Sequence, residues 1–272
     1  KLVHGFSLHV SPGDKNSAGI WRANVSVKLS ALTPEFKPHA PEHTCAQVAQ
    51  RLKKILLEAK KHQVFINVDA EHYHYRDLSF HIVKKLFSET PELKQFPALG
   101  LVLQAYLRDA YPHFLEILDF AKTRSVRLPI RLVKGAYWDA ETIEAEAHNF
   151  TAPQFLNKEE TDLHFRQLIV KILENHKHLQ LCLASHNLQD HAFAESVRQM
   201  RFPQAPAIEH QCLHGTYEAL SAGMAKLGWA VRNYIPVGGL LVGMGYLVRR
   251  IMENSSQAGV LSLMRSHQQI SS

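Results

Sequence analysis

Apolar residues along this chain fall into two alternating periods. Short runs rich in Val, Ile and Leu read as strands: NVSVKLS (24–30), VFINVD (64–69), LGLVLQ (99–104), LPIRLVKG (128–135), LQLCLAS (179–185), AIEHQCL (207–213) and AVRNYIPV (230–237). Stripes at helical spacing separate them. A helix is predicted from near Thr44, with Val48, Leu52, Ile55, Leu56 and Ala59 on one face. A second is predicted to be capped by Asp77, with Leu78, Ile82 and Leu86 inward, and a third to start at Pro112. The fourth run leads into a longer helical region whose main helix has Leu163, Leu168, Ile172 and Leu173 on or near one face.

Strand–helix units without hairpin signals predict a parallel sheet buried on both faces. A doubly wound sheet is the open form. The closed form is an α/β (β/α)8 barrel, TIM-like, with roughly 250 residues typical. The chain has 272 residues. Seven units over 21–272 are one short of eight, so the first strand is expected upstream of Lys1. Residues 1–20, with Gly, Pro and Ser, read as a connecting loop, and 1–272 as one domain.

Composition narrows the class. The chain is 46% hydrophobic and 21% charged, with net charge +6. It has no run of eighteen uncharged apolar residues for a membrane-spanning helix, and no signal-peptide pattern is expected at its start. The cysteines Cys45, Cys182 and Cys212 are an odd count without CxxC, which points to a reducing, cytoplasmic compartment. Lys and Arg are spread along the chain, so no nucleic-acid partner is expected; a basic face for peripheral contact with an anionic membrane stays open.

Candidate chemistry collects at the ends of the apolar runs: Lys28, Asp69, Gln104, Lys134, Ser185 with His186, and Gln211, with Arg131 and Tyr234 inside their runs. Parallel α/β folds build their sites there. A guanidinium inside a strand demands a partner. Arg131 is either one half of an inter-strand ion pair, with Asp69 as partner, or a fixed cation facing a ligand that gains electron density. Gly135 and Ala136 allow close backbone approach, and Tyr137 and Trp138 can wall a planar group or simply pack. His72, His74 and His186 leave a metal-dependent hydrolase barrel as an alternative, although no carboxylate-rich ligand set closes it, and no metal site is assigned. PVGGLLVGMG (236–245) does not fit GxGxxG. In YLVRRIMEN (246–254), Arg249 and Arg250 on a helix over about 240–254 point about 100° apart, each within reach of Glu253. A solvated pair and an anion-gripping fork are both open readings.

Together, VSVKLSAL, INVDAE, LVLQAY, IRLVKGAYWD, ASHN, QCLHG, YIPVG and YLVRRIMEN, in that order from Val25 to Asn254, resemble the proline dehydrogenase family, in particular the domain of the bifunctional proline utilization A type. The resemblance implies a distorted (β/α)8 barrel holding FAD at the strand ends. It implies oxidation of L-proline to Δ1-pyrroline-5-carboxylate by hydride transfer to flavin N5, with quinone as electron acceptor and, in a longer protein, a fused aldehyde dehydrogenase module. By resemblance, Arg131 donates to flavin N5 and Asp69 belongs to the catalytic centre. Gln104, Val133, Lys134, Gly135, Ala136, Trp138, Ser185, His186, Asn187, Gln211, Cys212 and Glu253 contact the cofactor. Lys28, Arg249 and Arg250 hold the proline carboxylate, and Tyr137, Leu213 and Tyr234 pack around its ring. Tyr234 would crowd a ring hydroxyl, which favours proline over hydroxyproline. The acidic-ended motif of the family's first strand is absent before Lys28, so an inactive barrel serving as an interaction module is the remaining alternative.

Overall fold

The computed structural model describes residues 2–215, 217–239, 244 and 248. Its centre is a seven-stranded, all-parallel sheet in the order β1-β2-β3-β4-β5-β6-β7. The strands are β1 (Asn24–Val27), β2 (Phe65–Val68), β3 (Leu99–Gln104), β4 (Leu128–Val133), β5 (Leu179–Ala184), β6 (Glu209–Leu213) and β7 (Ala230–Tyr234). Every apolar run of the sequence contains one of them. Sequence order equals spatial order, as winding in a single direction requires.

The sheet is strongly curled. Arg131 of β4 reaches Ser26 of β1 and Gln211 of β6, and Tyr234 at the end of β7 touches Asp69, just past β2. No pairing joins β7 to β1 among the described residues, so seven strands make a barrel left open on one side.

Alternation along the strands separates two environments. Register partners share a face, and one set is aliphatic: Ile66, Leu99, Leu101, Ile130, Leu132, Leu179, Leu181 and Leu183, all buried beneath the helices. The other set faces the lumen and is mostly polar: Ser26, Asn67, Arg131, Gln180, Glu209 and Gln211.

Helices α2 (Pro41–His62), α3 (Tyr73–Glu89), α4 (Ala110–Arg124), α5 (Trp138–Ala147), α6 (Lys158–Glu174), α7 (Leu188–Arg201) and α8 (Glu218–Lys226) follow successive strands. In α2, Val48, Leu52, Leu56 and Ala59 are fully buried, and Ile55 is half-buried beside them. Leu78, Ile82 and Leu86 of α3 point inward, as expected.

Four expectations need correction. Residues 1–20 are not all loop: α1 (Leu2–His9) packs on α2, where tertiary contact supports a short helix that Gly5 would weaken in isolation. Helix α2 begins at Pro41, one turn before Thr44, whose hydroxyl instead donates to the Lys37 carbonyl. Asp77 does not cap α3. That helix starts a turn earlier because the Glu141 carboxylate of α5 accepts from the Tyr73 amide at 2.7 Å, a cap supplied from another element. Leu163 is 61% exposed, because it lies about 140° around α6 from Leu168, and Phe165 takes the inward position.

The N-terminal end of the barrel is closed by the segment before β1. The Ala18 carbonyl accepts from Gln180 Nε2 at 2.6 Å, and the Trp21 and Arg22 carbonyls accept from Arg232 of β7. The opposite end remains for chemistry.

Candidate active site

The centre of that end is Arg131, 7% exposed. Its Nε donates to Gln211 Oε1 at 2.7 Å, and Nη1 and Nη2 both lie 3.2 Å from Ser26 Oγ. Nη1 makes a 2.5 Å ion pair with Asp69. The Asn67 amide, turned to satisfy its neighbours, also accepts from the guanidinium. Asp69 in turn accepts from the Tyr234 hydroxyl at 3.1 Å, and the Tyr234 ring lies 5.5 Å from the guanidinium carbon. The inter-strand ion pair open in the sequence is therefore present. A cation buried this deeply is tolerable because three strands, β1, β2 and β6, supply its acceptors.

Beside this cluster, Lys28 donates to the Tyr137 hydroxyl at 2.8 Å, and His72 packs on the Tyr137 ring at 4.3 Å. Lys28 and Tyr137 come from the ends of β1 and β4, so the sheet's curl brings them together. Gln104 is buried and donates to the Glu71 carbonyl. Glu71 also receives the Ser30 hydroxyl and amide, which ties the β1 and β2 ends to each other.

A second cluster lies where β4 and β5 end. Lys134 Nζ bridges Asp162 at 2.7 Å and Asp190 at 2.9 Å, and Ser185 Oγ donates to Asp190 at 2.8 Å. Asn187 Oδ1 caps α7 by accepting from the Gln189 amide. Asp190 Oδ1 and Arg166 Nε stand 3.8 Å apart, and both are buried without a hydrogen-bond partner among the described residues. Gly135, between the clusters, has φ +151, and a Cβ there would stand 2.3 Å from the Tyr106 ring. Only glycine lets the backbone pass that ring.

The remaining assigned residues divide. Val133 and Leu213 end β4 and β6 with partial exposure at the mouth, and Ala136 just beyond β4 is exposed. Trp138 is 41% exposed and donates to the Phe155 carbonyl. His186 stacks on Tyr217 at 3.7 Å and accepts from the Leu213 amide. Cys212 alternates with Gln211 and Leu213, so its buried side chain faces the helices, and burial pushes its thiol up to about 11. Arg249, Arg250 and Glu253 lie outside the described residues. The histidines go to separate places, His72 beside Glu141 and His74 beside Glu144; no metal-holding group of His, Cys, Asp and Glu gathers among the described residues.

Sequence reasoning missed Ser26, Asn67, Glu71 and Arg232. The period of a strand could have found three of them: Ser26 precedes Lys28 by two, Asn67 precedes Asp69 by two, and Arg232 precedes Tyr234 by two.

An open parallel barrel with an ionic lumen and its functional groups at the carboxyl ends of the strands defines an α/β-barrel site of the enzyme type. Comparison with known proteins makes this specific. Residues 7–262 match the family model described as proline dehydrogenase. The chain is 32% identical over 265 residues to the bifunctional protein PutA of Escherichia coli, covering 94% of this chain and 20% of that protein. It is 30% identical to proline dehydrogenase 1 of Bacillus subtilis, over 76% of this chain and 60% of the relative. A crystal structure of proline utilization A from Bdellovibrio bacteriovorus, inactivated by N-propargylglycine, superposes with a TM-score of 0.88 at 33% identity, over 94% of this chain and 27% of that one. The chain belongs to the proline dehydrogenase family, and it spans about a fifth of the length of its bifunctional relatives.

Proposed function

We propose that this chain binds FAD across the carboxyl ends of its strands and oxidises L-proline to Δ1-pyrroline-5-carboxylate, the first step of proline catabolism, passing electrons to a quinone. The observation that carries this reading is the lumen cluster: a buried guanidinium fixed by Asp69, Ser26 and Gln211, with Lys28 and Tyr137 beside it. Membership of the family supports it.

The residues present fit such a cofactor. Lys134 and Arg166 are cations at the β4–β5 end, where a phosphate-bearing tail needs them, and Asp190 Oδ1 and Arg166 Nε are buried polar atoms with hydrogen-bonding capacity left over. FAD, when bound, supplies the hydride acceptor, its N5. Arg131 places fixed positive charge where negative charge grows, and it needs no reorganisation because Asp69, Ser26 and Gln211 already hold it. Lys28, with Arg249 and Arg250, grips the substrate carboxylate and leaves the far side of the ring toward Arg131. Tyr234, tied to Asp69, walls the ring and leaves little room for a hydroxyl, which supports proline over hydroxyproline. No side chain acts as a nucleophile.

The length of the bifunctional relatives supports a longer protein; the aldehyde dehydrogenase module, the cytoplasmic setting and peripheral contact with the membrane that holds the quinone rest on the family resemblance. No helix among the described residues is long and apolar enough to cross a membrane. The test is an absorption spectrum of the purified full-length protein. Flavin bands that bleach on adding L-proline, and less on adding hydroxyproline, are expected. Stoichiometric zinc without flavin would sink the reading, and flavin indifferent to proline would return the inactive-module alternative.

A further inference from the structure

Below Arg131 the lumen holds a polar column that reaches the closed end of the barrel. Glu209, at the start of β6, is fully buried. Arg232 grips it through Nε at 2.9 Å and Nη2 at 2.8 Å, and Asn16 Nδ2 donates to it at 2.5 Å. One level up, Gln211 Nε2 donates to Glu209 Oε1 at 2.7 Å, while Gln211 Oε1 accepts from Arg131 Nε at 2.7 Å.

The chemistry of this column is directional. The two ends of a glutamine amide are nearly identical in shape but opposite in function. Shape alone leaves Gln211 able to turn its NH2 toward Arg131, donor against donor. An ionised carboxylate only accepts. Glu209 therefore obliges the NH2 of Gln211 to face down the barrel and its oxygen to face Arg131. Arg232 and Asn16 hold that carboxylate stationary, and Arg232 is itself anchored on the Trp21 and Arg22 carbonyls.

We infer that Glu209, held by Arg232, is a positioning residue for Arg131 and acts through the amide of Gln211. The inference rests on the proposed function, in which Arg131 faces flavin N5. It assigns catalytic consequence to two residues at the far end of the barrel from the substrate.

Two double variants of the full-length, flavin-loaded protein test it. Glu209→Leu/Arg232→Leu removes the carboxylate together with its counter-ion, so no buried charge is stranded. Glu209→Gln/Arg232→Leu restores a neutral acceptor for Gln211. The readout is sulfite titration, since an anion adding at N5 is held more tightly when a cation stands beside it. Flavin content and melting temperature serve as fold controls, and the rate of proline-driven bleaching is measured alongside. Expected are about tenfold weaker sulfite binding and slower bleaching in the leucine pair at unchanged proline affinity, and recovery to within about twofold in the glutamine pair. Wild-type behaviour in both pairs, or equal loss in both, overturns the inference. Should the leucine pair not fold, Glu209→Met/Arg232→Met, closer in length to the native side chains, takes its place with the same outcomes: about tenfold weaker sulfite binding supports the role, and wild-type binding rejects it. A wild-type protein that binds no flavin removes the proposed function and this inference with it. Flavin-loaded wild type with unresponsive variants removes the inference alone.

Discussion

The two ends of this barrel are built from the same kinds of residue and used differently. At the N-terminal end, Glu209 and Arg232 are matched against each other, and Asn16, Gln211 and two backbone carbonyls complete their hydrogen bonds. At the C-terminal end, Asp190 Oδ1, Arg166 Nε and the Tyr106 hydroxyl are buried with no hydrogen-bond partner among the described residues. Buried polar groups in folded proteins are nearly always satisfied. An end where several are not is one shaped for something besides the chain itself, whereas the Glu209–Arg232 pair is shaped to hold still.

That contrast can be broken at specific positions. The largest effect is expected at the satisfied end: Glu209→Leu alone strands Arg232 and should cost about 3–5 kcal/mol of stability, read by urea denaturation. A loss under about 1 kcal/mol would mean that water reaches Arg232 and that this end is not closed. At the other end, Arg131→Met should slow proline-driven flavin bleaching about 10²–10³-fold in rapid-mixing experiments, whereas Glu209→Leu should slow it about tenfold. Comparable losses of bleaching rate in the two variants would erase the distinction between the ends.

Acid should act through His191, on α7 behind the β5 end. Burial holds its ring down to about 4, against the pull of the Ser185 carbonyl. The unfolded ring binds its proton near 6.5. Stability is therefore complete above about pH 6.5 and falls as pH drops toward 4, by on the order of 3 kcal/mol. Denaturation midpoints between pH 7 and 4.5 should show this slope, and His191→Gln should flatten it. The smallest effect sharpens the substrate side. Arg249→Lys or Arg250→Lys should weaken proline binding about tenfold while leaving flavin content unchanged, because lysine cannot form a two-pronged contact. Unchanged affinity in both would remove the carboxylate role.

Much of this was legible in the chain. Period and β-branching located all seven strands, and the run LGLVLQ coincides with β3 to the residue. The polar side chains that gather at the carboxyl end mostly closed their apolar runs, since that is where a parallel strand delivers them. Two of the corrections come from contact with a distant element. The start of α3 depends on Glu141, 68 residues away. The helix α1 depends on α2. Other departures are local: alternation along β6 sends the Cys212 side chain, assigned to the cofactor by resemblance, to the face opposite Gln211.

By itself the sequence determined the elements, their parallel order and the residue types at the reacting end, because hydrophobic period and strand termini are local properties. Only the tertiary structure decided that Arg131 meets Asp69 and Gln211, that Lys28 meets Tyr137, and that Glu209 and Arg232 close the other end. Those pairings span 62 to 109 residues for the first three and 23 for the last. They exist because the sheet curls, and curl belongs to the packing of strands on one another, which no single strand's pattern contains.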